Sequence, residues 1–132
     1  MHKSLLRAVV IIAASFSMLA APLAAPKKSP EGLWELEFRD SHFQVELCDG
    51  DKLCATLVWL SEGASTPEKT VYLNKPLIDR AQRIADRSWK GQFNLFGQTA
   101  RGKVTQVSDD VIDLQGCVFG ILCKTFKLYR LE

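Results

Sequence analysis

Apolar and polar residues alternate along most of the chain beyond residue 31, with a period of two. In "GLWELEF", the side chains of Trp34, Leu36 and Phe38 share one face, and acidic residues share the other. The same alternation follows in "FQVEL", at 43–47. A period of two is typical of strands with one buried face, so the pattern predicts a β-rich fold.

Further segments of this kind follow, separated by short turns such as "DGDK" and "SDD", whose residues favour reversals of the chain. They are "LCATLVWL" (53–60), a short "VYL" (71–73), "SWKGQFNLF" (88–96), "RGKVTQV" (101–107), "DVIDLQGC" (110–117) and "CKTFKLYRL" (123–131). With the first two segments they make roughly eight strands joined in sequence. This order predicts an all-β antiparallel up-and-down barrel.

One segment departs from the alternation. In "NKPLIDRAQRIADRS", the apolar residues Leu77, Ala81 and Ile84 recur at helical spacing, and Pro76 suits the first turn of a helix. We therefore expect a short helix near 76–86, with an irregular strand as the alternative.

The first 25 residues read as a secretory signal peptide. Lys3 and Arg7 precede an uncharged, mostly apolar stretch at 8–21, and the small residues Ala24 and Ala25 follow it. This stretch is too short to cross a bilayer comfortably as a helix. We expect a signal-peptide helix at 1–25 to be removed by a bacterial export system. A single domain at 26–132 would then lie in the periplasm or be secreted, with no stable membrane anchor.

Signal cleavage changes the charge balance of the protein. The whole chain carries 17 Lys and Arg against 15 Asp and Glu, a net charge of +2. Lys3 and Arg7 leave with the signal peptide, which contains no acidic residue. The exported chain then has 15 basic and 15 acidic residues, a net charge of zero. Nucleic-acid-binding domains normally carry a basic surplus, and the sequence predicts no nucleic-acid partner.

Four cysteines form two pairs with the same spacing: Cys48 with Cys54, and Cys117 with Cys123. An even number of cysteines in an exported chain favours two disulfides. Zinc sites and redox dithiols usually have fewer residues between their cysteines, so they are the less favoured alternatives. We therefore predict no metal and no cofactor. In an eight-stranded meander the two hairpins lie at opposite ends of the barrel, beyond disulfide reach of each other, which favours pairing within each hairpin.

The ends of the predicted barrel suggest how it closes. Gly32 and Trp34 form a G-x-W triplet on the first strand, and Arg130 lies on the last. First and last strands are neighbours in a closed barrel, so the Arg130 guanidinium can lie across the indole of Trp34. This arrangement resembles the signature of lipocalin-like barrels. We expect these residues to close the base of the barrel rather than to bind a ligand.

A wider resemblance covers nearly the whole exported chain. The positions that carry it are Gly32 and Trp34, the hairpin 48–54, the strand 57–60, Trp89 and Gly91, and the block 116–125 with Arg130. On these positions the chain resembles the bacterial secreted family called domain of unknown function 2147, and the resemblance implies a small lipocalin-like barrel but no known reaction. The chain departs from the family pattern at Ala55, at Tyr129 and through most of its middle.

The sequence contains no G-x-S-x-G, H-E-x-x-H or P-loop motif, so we predict no enzyme and no catalytic residues. An eight-stranded barrel can fill its interior with side chains or hold one small ligand. The candidate ligand-lining residues are Phe43, Leu57, Trp59, Trp89, Phe93 and Phe96. The first functional hypothesis is therefore non-catalytic binding of a small apolar or amphipathic ligand.

The alternative hypothesis is a protein-interaction module, such as an inhibitor of an envelope or host hydrolase, whose partner the sequence does not identify. The contacting element would be either the loop 61–70 or the tip of the second cysteine hairpin, and this tip is apolar where a turn is normally polar. We expect this tip either to cover the barrel mouth as a lid or to contact a partner. The residues concerned are Val118, Phe119, Ile121 and Leu122.

Overall fold

A computed structural model describes residues 13–15 and 28–132 of the chain, and most of the second range is β-strand. The predicted signal peptide at 1–25 lies outside the described residues, apart from 13–15. The strands are β1 (Gly32–Leu36), β2 (Ser41–Cys48), β3 (Lys52–Leu60), β4 (Pro76–Ala85), β5 (Ser88–Leu95), β6 (Gln98–Ser108), β7 (Val111–Val118) and β8 (Leu122–Arg130).

Each strand pairs with the next one along the chain, and β8 pairs back with β1 to close the barrel. All of these pairings are antiparallel. The predicted eight-stranded, antiparallel, up-and-down barrel is therefore confirmed.

The interior of the barrel is filled by side chains from all eight strands. Trp34 enters from β1, Phe43 from β2 and Trp89 from β5, and each is buried. Their buried neighbours include Leu53, Leu57, Ile78, Phe93, Val104, Ile112, Leu114 and Leu128. The strand alternation read from the sequence thus corresponds to a packed core.

Strand β4 occupies the segment where we expected a helix, so that prediction is wrong and the irregular strand is what forms. Ile78 pairs with Ala55 of β3 and Ala81 pairs with Leu53, so β4 uses one more residue than β3 over this interval. The extra residue makes a β-bulge at Arg80, whose φ is +53°. A bulge places two buried residues three apart instead of two, which imitates the spacing of a helix.

The connection from β3 to β4 closes the barrel mouth. It contains a 3₁₀ turn, η1 (Glu62–Ala64), and a single helical turn, α1 (Pro67–Thr70). The Ser61 hydroxyl caps η1 by accepting from the Ala64 amide at 3.3 Å. Ala64 is buried, and Tyr72 and Leu73 pack on the core. The stretch 71–73, expected to be a short strand, is therefore a turn, and its Tyr72 and Leu73 side chains cover the mouth.

The strand order gives the barrel two ends with different connections. The connections 37–40, 61–75, 96–97 and 119–121 lie at one end, which we name the aromatic end because each contains an aromatic residue. The turns 49–51, 86–87 and 109–110 lie at the other end together with the segment 28–31, and each turn contains an aspartate. We name this second end the closed end.

Among the helices of the described residues, none is both long and apolar enough to cross a membrane.

Candidate binding site

The expected closure residues meet at the closed end. Trp34 pairs with Arg130 across the β1–β8 ladder, and the guanidinium carbon lies 4.4 Å from the centroid of the indole. Gly32 has a φ of +145°, and a Cβ there would clash with the backbone oxygen of Glu132. Only glycine fits this position without strain, which accounts for the first residue of the G-x-W triplet.

Arg130 also binds the chain entering β1. Its Nη1 donates to the Glu31 carbonyl at 2.8 Å, and its Nη2 donates to the Ser29 carbonyl at 2.7 Å. Its Nε donates to the Asp109 carbonyl at 2.9 Å. Because the side chain is only 10% exposed, these bonds replace the water that the cation lost on folding.

Both buried tryptophans donate to backbone carbonyls at the closed end. Trp34 Nε1 lies 2.8 Å from the Pro30 oxygen, and Trp89 Nε1 lies 2.7 Å from the Asp51 oxygen. A buried indole N–H needs such an acceptor, so these contacts join the core to the segments that seal the barrel base.

The two disulfides lie within their own hairpins, Cys48 with Cys54 at the closed end and Cys117 with Cys123 at the aromatic end. The cysteines have the same spacing but lie differently relative to the turn: Cys48 immediately precedes its turn, whereas Val118 separates Cys117 from its turn. Cys117 is directly opposite Cys123, with 4.0 Å between the Cα atoms. Cys48 is instead opposite Lys52, so its bridge to Cys54 is diagonal and spans 6.0 Å.

The six candidate ligand-lining residues do not surround a common cavity. Phe43, Leu57, Trp89 and Phe93 are buried in the packed core. Phe43, Leu57 and Phe96 border a pocket of only about 10 Å³ beneath the aromatic end, which is smaller than a small-molecule site.

Trp59 lies on the outer face of the barrel, although strict alternation along β3 would place it inside. Phe43 pairs with Leu57 while His42 pairs with Trp59, so Val58 is an extra residue in β3. This bulge reverses the side-chain direction, and Trp59 stacks on His42 with the ring centroids 4.2 Å apart. Our expectation that Trp59 faces inward is therefore wrong.

His42 belongs to β2, and its Nε2 lies 2.8 Å from Glu35 Oε2. Phe96, which we expected to face the interior, lies in the turn between β5 and β6, where its ring meets the Tyr72 ring edge-on at 5.8 Å.

The tip of the second cysteine hairpin projects into solvent. Phe119 is 89% exposed, Ile121 is 83% exposed and Leu122 is 65% exposed, whereas Val118 is half-buried. The tip is therefore not a lid in this structure. The connection at 61–75 covers the mouth instead.

A larger groove, of about 880 Å³, lies on the outer face of the barrel next to this tip. Sequence reasoning missed it. Its cationic side chains are Lys90 on β5 and Arg101 and Lys103 on β6, and its floor includes Gly91 and Gly102. The other lining residues are Gln82, Ile84, Gln92, Gln115, Cys117, Gly120 and Cys123.

The three cations are adjacent because of the strand register. Lys90 is directly opposite Lys103, and Arg101 is directly opposite Gln92. None of the groove-lining residues in the described part of the chain is acidic. Asp113, one strand away, accepts from Lys127 Nζ at 2.7 Å, and this bond raises the pKa of Lys127. The nearby carboxylate is thus already paired, and the groove is positively charged.

The small residues beneath the cations make room for the core. Gly91 and Gly102 are opposite each other in the β5–β6 ladder. A Cβ on Gly102 would overlap the Phe93 ring, and a Cβ on Gly91 would lie 3.2 Å from the Ala81 Cα. The ring of Phe93 therefore lies directly against the backbone that forms the groove floor. Sequence alone shows these glycines but not which strands bring them together.

In the described ranges, 13–15 and 28–132, no group of three or more His, Cys, Asp or Glu side chains is placed to hold a metal ion.

Comparisons with known proteins support the fold. No family model matches the chain, and no curated protein matches it either, so the resemblance to domain of unknown function 2147 stays a prediction. Among solved structures, the chain is similar to protein HP1028 from the human pathogen Helicobacter pylori, described as belonging to the lipocalin family. The TM-score is 0.61 at 20% identity, and the match covers 79% of this chain and 84% of that one. The class of fold is therefore a lipocalin-like barrel.

Proposed function

We propose that this protein is an exported, non-catalytic binding protein that holds an amphipathic molecule with an anionic group in its outer groove. One observation carries the proposal: Lys90, Arg101 and Lys103 line a groove of about 880 Å³ that has no acidic residue among its described lining. This volume is within the usual range for small-molecule sites.

The electrostatics favour an anion at this position. Like charges directly opposite on neighbouring strands destabilise a sheet, and Lys90 faces Lys103 in this way. An anionic group bound between the two ammonium groups offsets that repulsion. Lysine and arginine also donate charge-assisted hydrogen bonds to phosphate, sulfate and carboxylate oxygens.

Apolar surface in the same groove favours a ligand that is amphipathic rather than purely ionic. Ile84 is half-exposed on one wall, and the Cys117–Cys123 disulfide lies on another. The hydrocarbon part of a ligand can cover these groups while its anionic part contacts the cations. The packed interior is a further reason to prefer the outer groove over the inside of the barrel.

The exported location rests on two observations. A signal peptide at 1–25, as the sequence predicts, would direct the chain out of a bacterial cytoplasm, and disulfides such as the two in this barrel persist mainly in oxidising compartments. We therefore place the protein in the periplasm or outside the cell.

Titration with monomeric dodecyl phosphate, followed by calorimetry, tests the proposal. We expect saturable binding, and a loss of about tenfold or more in affinity for the Lys90→Gln/Lys103→Gln double variant. The Lys52→Gln/Lys75→Gln variant has the same net charge change outside the groove and should bind like the natural protein. Dodecanol, which lacks the anionic group, should bind much more weakly. Equal affinities of the two double variants for dodecyl phosphate would refute the proposal that the groove binds the ligand.

A protein-interaction module is the second candidate, because the tip residues Phe119 and Ile121 are among the most exposed apolar side chains described. A hydrolase inhibitor of this kind would retain a partner from lipid-free envelope extract at moderate salt. Failure to retain any partner under those conditions would count against it.

A further inference from the structure

We propose that the hairpin tip docks the barrel reversibly on an anionic lipid bilayer, with Phe119 and Ile121 inserted among the headgroups. This goes beyond the proposed ligand binding and does not rest on it. The observations that carry it are the exposure of the tip, its shape and the charges beside it.

The tip combines apolar exposure with a constrained backbone. Phe119 and Ile121 are each more than four-fifths exposed, although the residues of a turn are normally polar or glycine. Phe119 has a φ of +56°, a conformation uncommon for a bulky side chain, and Gly120 follows at +71°. The disulfide lies one residue pair behind the turn and constrains the hairpin, so we expect the tip to lose little further freedom on insertion.

Cations lie next to the tip on the same side of the barrel. Gly120 at the tip lines the groove that contains Arg101, and Arg101 is directly opposite Cys117. Lys124 immediately follows the second cysteine of the hairpin and is exposed. The segment 116–126 contains no acidic residue. Peripheral membrane proteins usually combine two kinds of side chain at their binding surface. Apolar side chains insert into the bilayer, and neighbouring cations contact the anionic headgroups.

Other exposed aromatic side chains lie at the same end of the barrel as the tip. Phe38, in the connection between β1 and β2, is largely exposed and contacts the Phe126 ring with the centroids 6.2 Å apart. Phe96 is partly exposed in the connection between β5 and β6. Aromatic side chains are favoured at the headgroup level of a bilayer, so this end can rest on the surface once the tip has inserted.

A bilayer fits the tip better than a protein surface does. A stable protein–protein interface buries about 1,200–2,000 Å² in total and includes a packed centre, which a narrow hairpin turn does not supply by itself. A bilayer surface yields to a few protruding side chains and requires no matching shape. Its anionic headgroups also complement the positive charges of Arg101 and Lys124 beside the tip.

Flotation with lipid vesicles tests the docking. The exported protein should float with vesicles of equal parts phosphatidylglycerol and phosphatidylcholine, and only weakly with phosphatidylcholine alone. Added salt should reduce the binding, because it screens the cations. The Phe119→Ser/Ile121→Ser variant should lose about tenfold or more of its vesicle affinity.

A matched control is the Val107→Ser/Leu131→Ser variant, which removes two half-exposed apolar side chains near the closed end and should float like the natural protein. As a second readout, Phe119→Trp should give a blue shift of tryptophan emission with anionic vesicles, quenched by brominated acyl chains. Equal flotation of the two double variants would overturn the proposal. So would retention of a protein from lipid-free extract together with no vesicle binding.

Docking and groove binding can be separated by experiment. The Phe119→Ser/Ile121→Ser variant should keep its affinity for monomeric dodecyl phosphate, because the cations at 90, 101 and 103 are unchanged. If Lys90→Gln/Lys103→Gln binds dodecyl phosphate as well as the natural protein while the tip variant fails to float, the groove proposal fails and the docking proposal stands.

Discussion

The two ends of this barrel have similar hairpins but use them differently. Each end has a three-residue turn enclosed by a disulfide, with two successive residues at positive φ: Asp49 and Gly50 at the closed end, and Phe119 and Gly120 at the aromatic end. Aspartate is common in this conformation and phenylalanine is not. At the closed end the buried side chains bind the neighbouring carbonyls. At the aromatic end the tip side chains contact solvent. The closed end therefore stabilises the fold, and the aromatic end is available for binding.

The largest effect on stability is expected from Arg130→Ala, which tests the stabilising role of the closed end. The substitution removes a cation–π contact and leaves the Ser29, Glu31 and Asp109 carbonyls without their donor, so we expect a loss of about 3 kcal/mol in the free energy of unfolding. Urea denaturation measures it. Arg130→Lys, which keeps the charge but not the planar donor set, should fall in between. A loss below about 1 kcal/mol for Arg130→Ala would contradict the stabilising role of the closed end.

Removing each disulfide separately compares the two hairpins directly. We expect the Cys48→Ser/Cys54→Ser and Cys117→Ser/Cys123→Ser variants each to lose about 2 kcal/mol of stability, since each bridge closes a short loop of similar length. Only the second variant should also bind anionic vesicles more weakly, because only its hairpin carries the apolar tip. If both variants lost vesicle binding equally, the effect would reflect general unfolding.

Exchanging the turn residues should have a smaller effect of opposite sign at the two ends. Phe119→Asp places a residue suited to positive φ in the tip and should raise the free energy of unfolding by about 0.5 kcal/mol, while abolishing vesicle binding. Asp49→Phe should lower stability by about the same amount. Thermal melts of both variants measure the difference. Two shifts of the same sign would show that backbone conformation does not distinguish the turns.

The smallest expected effect on stability is that of Ile121→Ser. The side chain is 83% exposed, so its removal should change the free energy of unfolding by less than about 0.5 kcal/mol. Ile112→Ser, which alters a fully buried residue of the core, is the contrasting control and should be strongly destabilising. A large loss at Ile121 would mean that the tip packs on the barrel after all.

Much of the fold could be predicted because local pattern and topology agree. The strands with plain alternation, the order of the hairpins and the pairing of Trp34 with Arg130 all follow from period two and barrel closure. The failures occur where the period changes. The bulge at Arg80 made a strand resemble a helix, and the bulge at Val58 turned Trp59 outward. A bulge depends on the partner strand, so a single segment does not reveal it.

The candidate groove was beyond sequence reasoning for a related reason. Lys90 and Lys103 are distant along the chain and belong to different strands, and only the β5–β6 register places them opposite each other. The apolar tip was visible because its unusual residues are contiguous. Features built from one hairpin can be read from sequence, whereas features built across strands require the register.

The ladder between β1 and β8 joins three residue pairs, as does the bulged ladder between β3 and β4, whereas the ladder between β7 and β8 joins eight. The β1–β8 seam is the one that closes the cylinder, and we expect it to open more readily than the β7–β8 ladder. Opening it would expose two unpaired strand edges, which are templates for aggregation. Arg130 lies at one end of the seam and ties it to the chain before β1. We therefore expect the contact that completes the fold also to protect the protein against self-association.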